Sequence, residues 1–380
     1  MGTRTLFSNT TGYINTAVGH AALISNTTGY GNVGIGYLSG HHTTTGQFNT
    51  ALGSGSLFAN QNGSQNTAIG FYTLERNETG SSNVAVGTYA LHLNSNRSNM
   101  VAVGDSALYH NGDKVTNAAQ GIRNTAIGSK ALYVNNVGSG NTALGFQTLK
   151  MNSSGDKNLA AGDSALYSNA FGSYNVALGA GTLAGNTTGN YNVAVGGAAL
   201  FMNKGGSSNI AVGYRSLYSN NGSYNIGIGE QSLAENTSGA RNVSIGYQTL
   251  TDNTTGNNNT GAGFQALQKT STGTSNAAVG YQAMNENLTG NNNTAMGTQS
   301  LFKNTSGMAN VAIGMRALYT NSDGSNLVAI GDSALLKNST NADANTAVGS
   351  KSLLNNSIGR HNTTLGFRTL VANTSGNNNT

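Results

Sequence analysis

The chain has 380 residues, of which 54 are glycine, and it contains no proline, cysteine or tryptophan. Only 8% of the residues are charged, and the net charge of +5 is not gathered into basic runs. This composition excludes a disulfide scaffold and gives no support for nucleic-acid binding, and the lack of a long apolar stretch predicts no membrane insertion in this segment.

A short phrase returns along the whole chain and ends each time on a glycine. It reads NTAVG at 15–19 and again at 345–349. Between successive marker glycines, 18 of the 21 intervals are 17 residues long, and the others are 24, 16 and 18. This spacing predicts one continuous repeat array over 1–380, cut within a repeat at both ends, with a loop insertion near 111–123.

Within one repeat, numbered from the marker glycine as position 1, two short apolar pieces alternate with two polar turns. Position 5 is Leu in 20 of 22 repeats and position 8 is Asn in 20 of 22, while positions 4 and 16 hold small residues. Such pieces are too short for an amphipathic helix and fit short strands. The predicted fold is therefore all-β: a β-solenoid or β-roll of about 22 stacked coils, two short strands per coil, forming an elongated rod.

Stacking gives every repeat position a predicted role. Leu at position 5 and Val or Ile at position 17 are expected to fill the core, and the small residues at positions 4 and 16 to form smooth columns for a neighbouring chain. In the turn at 26–29, NTTG, the final glycine is expected to take unusual dihedral angles. The marker glycines are expected to form a sharp bend: Gly19, Gly36, Gly53, Gly70, Gly87, Gly145, Gly246 and Gly314. Position 14 is expected to form a hydrogen-bonded ladder: Asn15, Asn66, Asn83, Asn141, Asn192, Asn242 and Asn310.

Two sets of surface residues are candidates for interaction. Aromatic side chains at position 6 should point outward, either to contact sugars and other surfaces or to cover a seam between chains: Tyr109, Tyr133, Tyr167, Phe201, Tyr218, Phe302 and Tyr319. Position 8 opens Asn-x-Ser/Thr sequons that are either glycan acceptors or turn-forming residues: Asn26, Asn77, Asn152, Asn186, Asn236, Asn253, Asn287 and Asn304.

The recurring phrase resembles the head repeat of trimeric autotransporter adhesins and of related tail-fibre-like proteins. The resemblance rests on NVAVG at 83–87 and NVSIG at 242–246, and it covers nearly the whole chain, although the 17-residue repeat is longer by one turn. It implies a left-handed parallel β-roll, three chains side by side, and an extracellular, cell-surface or virion-surface location.

No residue pattern indicates catalysis, a cofactor or a metal site. The acidic residues Asp105, Asp163 and Asp332 recur singly at position 2 rather than as the close pair that glycoside hydrolysis needs. The sequence therefore predicts a non-enzymatic structural fibre segment that associates with itself, with a trimer favoured, and that binds glycans or cell surfaces. The alternatives are an ice-binding solenoid and a phage tail-fibre shaft that carries a polysaccharide hydrolase elsewhere.

Overall fold

The computed structural model describes residues 2–112, 120–339 and 342–380, and every regular element in these residues is a β-strand. The chain divides into two compact units, Met1–Asn192 and Val193–Thr380, which are described separately below. Of the insertion predicted near 111–123, residues 113–119 lie outside the described residues. One array continuous through both units stays a prediction.

Almost all strands have three residues and fall on repeat positions 15 to 17. In the first unit they are β1 (Thr16–Val18), β2 (Val33–Ile35), β3 (Thr50–Leu52), β4 (Thr67–Ile69), β5 (Val84–Val86), β6 (Val101–Val103), β7 (His110–Asn111), β8 (Thr125–Ile127), β9 (Val134–Asn135), β10 (Thr142–Leu144), β11 (Leu159–Ala161) and β12 (Val176–Leu178). In the second unit they are β13 (Val193–Val195), β14 (Ile210–Val212), β15 (Ile226–Ile228), β16 (Val243–Ile245), β17 (Thr260–Ala262), β18 (Ala277–Val279), β19 (Thr294–Met296), β20 (Val311–Ile313), β21 (Val328–Ile330), β22 (Thr346–Val348) and β23 (Thr363–Leu365).

Within each unit, successive coils stack as parallel strands in register. Val84 of β5 pairs with Val101 of β6, and Val243 of β16 pairs with Thr260 of β17, so equivalent repeat positions lie above one another. This arrangement confirms the predicted β-solenoid. The prediction of two strands per coil is wrong, because the usual coil has one. In the part of the chain that the structure describes, a second strand pairing, β7 with β9, occurs only beside the insertion.

The segment of each coil that carries the leucine, positions 2 to 6, is not a strand, because its backbone adopts the left-handed conformation at positions 3 and 5. Gln248 has φ 49° and Leu250 has φ 50°, and the same alternation recurs from coil to coil. Left-handed geometry costs an L-residue roughly 1–2 kcal/mol. Hydrogen bonds between coils offset this cost: the Leu250 amide donates to the Ala266 carbonyl at 3.1 Å, and the Gln248 amide donates to the Glu230 carbonyl at 3.0 Å.

The core consists of leucine at position 5 and alanine at position 16. Leu250 and Ala278 are completely buried, whereas Ile245 at position 17 is 44% exposed. The assignment of position 17 to the core is therefore wrong. The interior leaves little space at position 16, since a Cβ added to Gly34 would lie 2.9 Å from Leu23 Cγ. Strand alternation then turns positions 15 and 17 outward.

The small residues of positions 4 and 16 are inside each coil rather than on its surface. Ala90 at position 4 and Ala85 at position 16 are both completely buried. The expectation that a neighbouring chain packs against these two columns is therefore wrong. Small side chains are needed there because the strand and the leucine-bearing segment of one coil approach each other closely.

The marker glycines are required both by their backbone angle and by the next coil. Gly246 has φ 132°, and a Cβ there would lie 2.6 Å from the carbonyl oxygen of Gly263. The other predicted marker glycines, Gly19, Gly36, Gly53, Gly70, Gly87, Gly145 and Gly314, have φ between 126° and 134°.

The turn glycines of position 11 have a different role from the one expected. Gly29 is absent from the residues with positive φ, so the expectation of unusual dihedral angles there is wrong. Position 11 excludes a side chain by close approach instead. A Cβ on Gly273 would lie 2.6 Å from the Gly290 carbonyl oxygen and 2.8 Å from Asn287 Nδ2.

All three changes in repeat length fall in the turn between positions 8 and 11. In a regular coil the position-8 amide donates to the carbonyl three residues later. Asn220 reaches Gly222 in the short coil, Asn338 reaches Ala342 in the long coil, and Asn111 reaches Gly121 across the insertion. The turn therefore absorbs each change while the columns on both sides stay aligned, as the repeat pattern predicts.

Candidate functional surfaces

An asparagine ladder runs through the interior at position 14. Asn66 Nδ2 donates to the Gly80 carbonyl at 2.8 Å, and Asn66 Oδ1 accepts the backbone amide of Asn83 at 3.1 Å. Each side chain thus bonds to the next coil twice. The same two contacts with the next coil are made by Asn15, Asn83, Asn141, Asn242 and Asn310, and the backbone amide of Asn192 donates to Asn175 Oδ1 of the preceding coil at 3.0 Å.

A second ladder is formed by the asparagines of position 8, which include those that begin the sequons. Asn77 Nδ2 donates to Asn60 Oδ1 at 2.8 Å and to the Gly80 carbonyl at 2.9 Å. All eight candidate acceptors are completely buried: Asn26, Asn77, Asn152, Asn186, Asn236, Asn253, Asn287 and Asn304. The atom that would carry a glycan is thus inside the coil stack, and the folded geometry favours the turn-forming role over modification.

Two repeats lack asparagine at position 8, and each leaves an orphaned acceptor. Thr43 stands beside Asn26 and Thr270 stands beside Asn253 in the stack. Among the described residues, the Oδ1 atoms of both asparagines and the Oγ1 atoms of both threonines are buried without a hydrogen-bond partner. The coil with Thr43 also has Gly40 in place of the core leucine. These two coils are local defects in an otherwise regular ladder.

The outward face of the strands in each unit, here called the strand face, is formed by positions 15 and 17; position 17 is apolar in every strand there, and position 15 alternates between threonine and apolar residues. None of the three-residue strands contains a charged side chain. In the second unit the exposed members at position 17 are Val212, Ile228, Ile245, Val279, Met296, Ile313, Ile330 and Leu365. In the first unit they are Val18, Ile35, Leu52, Ile127, Leu144 and Leu178.

The aromatic residues of position 6 are half-buried and stack along the coil axis within each unit. Phe201 and Tyr218 have ring centroids 5.4 Å apart with an interplanar angle of 3°, and Phe302 and Tyr319 lie 5.3 Å apart at 11°. Tyr109 and Tyr133 form a third stack at 5.3 Å. Tyr167 contacts the ammonium of Lys150 at 5.1 Å from the ring centroid. Burial, followed by the neighbouring Tyr133 and Tyr89, raises the pKa of Tyr109.

Position 2 carries a more exposed aromatic column. Tyr247, Phe264 and Tyr281 stack in three successive coils with centroid separations of 5.3 and 5.4 Å. Because position 2 follows the marker glycine, this column borders the strand face. Together they present rings and branched aliphatic side chains side by side.

The corner formed by positions 3 and 6 carries a feature that sequence reasoning missed. Gln248 donates to Gln231 at 2.8 Å, Gln265 donates to Gln248 at 3.0 Å, and Gln282 continues the ladder. Side chains at position 6 also bond back to position 3 of the preceding coil, as Asn285 Nδ2 does to the Gln265 carbonyl at 2.8 Å. The repeated glutamine every 17 residues was a readable signal for this ladder.

Position 7 in the second unit forms a column of charges. Glu235, Asp252, Lys269 and Glu286 follow one another in successive coils, and Lys269 Nζ lies 3.1 Å from Glu286 Oε1. Burial and then the adjacent Glu235 raise the pKa of Asp252, while Lys269 lowers it. Neighbouring coils thus bring together carboxylates that are 17 residues apart in sequence.

The residues considered for catalysis show no convergent geometry. Asp163 accepts a hydrogen bond from the adjacent Ser164 at 2.7 Å, and Asp332 accepts one from Ser333 at 3.2 Å. Within 2–112, 120–339 and 342–380, no three His, Cys, Asp or Glu side chains gather into a group that could hold a metal ion. The same described residues contain no helix long and apolar enough to span a membrane.

Comparison with known proteins finds no matching family model and no matching curated protein.

Proposed function

We propose that this chain is a non-enzymatic structural segment of an extracellular fibre, and that copies associate through the strand face, with three chains per assembly. The observation that carries the proposal is the charge-free strand face with its exposed apolar row at position 17, which is repeated in coil after coil of each unit. A second copy of the chain carries the same strand-face side chains at the same coil-to-coil spacing. A favourable contact between two copies is therefore repeated in each coil along the stack. The extracellular location and the trimer follow the resemblance to adhesin head repeats.

The magnitude favours association along many coils rather than at a few. Full burial of a Val, Leu or Ile side chain contributes roughly 1.5–3 kcal/mol. About two-fifths of a typical position-17 side chain remains exposed, as at Ile245 with 44% and Ile228 with 39%. Each coil therefore offers roughly 0.6–1.2 kcal/mol, and about ten coils offer roughly 6–12 kcal/mol, against an association cost of about 4–15 kcal/mol. Short segments should remain monomeric, while long stacks associate.

Introducing charge into the strand face provides the test. In the variant carrying Ile245→Lys and Ile313→Lys, two ammonium groups would have to be buried between copies, so we expect the oligomer to dissociate. The matched control carries Thr255→Lys and Thr289→Lys, which add the same charge at exposed turn positions of the same unit. Sedimentation velocity should show an oligomer for the wild type and the control and a monomer for the face variant. A monomeric wild type, or a face variant that stays oligomeric, would contradict the proposal.

One observation supports ice binding as a second candidate. Position 15 points outward and is threonine in several coils, as in Thr67 and Thr125, so a flat face carries hydroxyls at regular spacing. Val, Ile and Leu hold most of the other positions on this face, which favours apolar association over ordering of water. Thermal hysteresis of the wild-type solution would support ice binding, and its absence would leave self-association as the function of the strand face.

A further inference from the structure

In the first unit the corner of positions 3 and 6 holds an aromatic cluster instead of a ladder. Tyr72 and Tyr89 lie parallel with ring centroids 6.2 Å apart, while His92 and Tyr109 stack 5.0 Å apart. The His92 ring stands at 84° to both Tyr72 and Tyr89. These four rings and the Glu75 carboxylate line a hollow of about 310 Å³. The hollow is thus lined by aromatic rings that stand at right angles to one another and by one carboxylate.

The Glu75 carboxylate already has a side-chain partner in this hollow. His92 Nε2 lies 3.0 Å from Glu75 Oε2, and His92 Nδ1 lies 3.2 Å from the backbone carbonyl oxygen of Tyr72. The imidazole of His92 thus occupies one of the two carboxylate oxygens of Glu75. An organic cation would have to compete with His92 for the carboxylate, whereas a neutral hydroxylated ligand would not.

We infer that this hollow binds one neutral pyranose ring of a glycan. The C–H face of the sugar would lie against the Tyr89 ring, and its hydroxyls would donate to Glu75 Oε1, which takes no part in the contact with His92. The volume lies at the low end of the range of about 300–1,000 Å³ for small-molecule sites, which fits a single ring. The site uses positions 3 and 6, so it is independent of self-association through the strand face.

The same corner of the second unit shows that the fold does not need these rings. The contact of His92 with the Tyr72 carbonyl is matched there by Asn285 with the Gln265 carbonyl, and no aromatic residue takes part. The backbone arrangement is therefore retained with amide side chains. The replacement of amides by tyrosine, histidine and glutamate in the first unit is thus a difference in surface chemistry, which is what a binding site requires.

The test uses saturation-transfer difference NMR on the full chain. The probes are the methyl glycosides of glucose, galactose, mannose and N-acetylglucosamine, with choline as the cationic probe. We expect at least one glycoside to bind and choline not to compete with it. Tyr89→Ala removes the stacking face and should weaken glycoside binding about tenfold, whereas Tyr89→Phe keeps the ring and should retain binding. Glu75→Gln should weaken binding because the carboxylate acceptor is lost.

The matched control is Tyr281→Ala, which removes an exposed ring that stacks on Phe264 far along the sequence from this cluster. It should leave glycoside binding unchanged. The inference is overturned if no methyl glycoside binds, if choline displaces the glycoside, or if Tyr281→Ala weakens binding as much as Tyr89→Ala does. Circular dichroism and sedimentation of every variant show whether the fold and the oligomer are intact, so a failure of self-association is distinguished from a failure of this site.

Discussion

Repair of the ladder defect at Thr270 tests whether the asparagine column stabilises the fold. Thr270→Asn places an amide where it can donate to the orphaned Asn253 Oδ1 and, within its own turn, to the Gly273 carbonyl. Its own Oδ1 can then accept from Asn287 Nδ2. A buried acceptor without a partner costs roughly 1–3 kcal/mol, so we expect a local gain of that size. The structure provides the reference distance, since the unbroken pair of Asn304 and Asn287 lies at 2.8 Å.

The assay is native-state hydrogen exchange followed by mass spectrometry, because a repeat array need not unfold as a single cooperative unit. Backbone amides near 253–287 should exchange about 5- to 150-fold more slowly in the variant, as a gain of 1–3 kcal/mol implies. Thr270→Val is the matched control: it removes the orphaned hydroxyl but leaves Asn253 without a donor, so its effect should be smaller. Asn304→Thr introduces the same defect elsewhere and should speed local exchange. If repair and defect both leave exchange unchanged, the ladder does not contribute as argued.

Three further predictions concern the backbone, the core and the charge column. Gly246→Ala forces a Cβ against the Gly263 carbonyl at a left-handed φ and should destabilise the second unit by more than about 3 kcal/mol, measured by hydrogen exchange; exchange like that of the wild type would contradict this. Leu250→Ala should lower the free energy of unfolding by about 2–5 kcal/mol, whereas Ile245→Ala should leave the stability of the monomer nearly unchanged and weaken only its association. Equal losses of stability in the two variants would indicate that position 17 is part of the core. Because the folded-state pKa of Asp252 is raised, its charge opposes folding above that pKa, so Asp252→Asn should raise the melting temperature slightly at pH 7 and not at pH 3; an equal gain at both pH values would exclude the electrostatic cause.

Much of this fold can be predicted from the repeat pattern, because stacking places residues that are one repeat apart in sequence directly above one another. The leucine column at position 5, the Asn66-type ladder and the bend at Gly246 each follow from one residue type returning at fixed spacing. The placement of the three length changes in the turn follows as well, since any other location would misalign the columns.

The features that the sequence did not reveal depend on the backbone path inside one coil. Strand alternation shows that Ala and Val face opposite ways, but which of them is inside is decided by the backbone path, which brings position 16 close to the leucine column, as at Gly34 and Leu23. Left-handed leucine runs against local preference and is imposed by the coil-to-coil hydrogen bonds. The contact of Tyr72 with His92 joins residues that are 20 apart in sequence, which is not the repeat length. It can be predicted only when the backbone path between positions 3 and 6 is known.

The proposed association of copies through the strand face can be measured by native mass spectrometry of the wild-type chain at micromolar concentration. A trimer gives a species of three times the chain mass of 38.7 kDa, and we expect this species. A single species with the mass of one chain would contradict the proposed association.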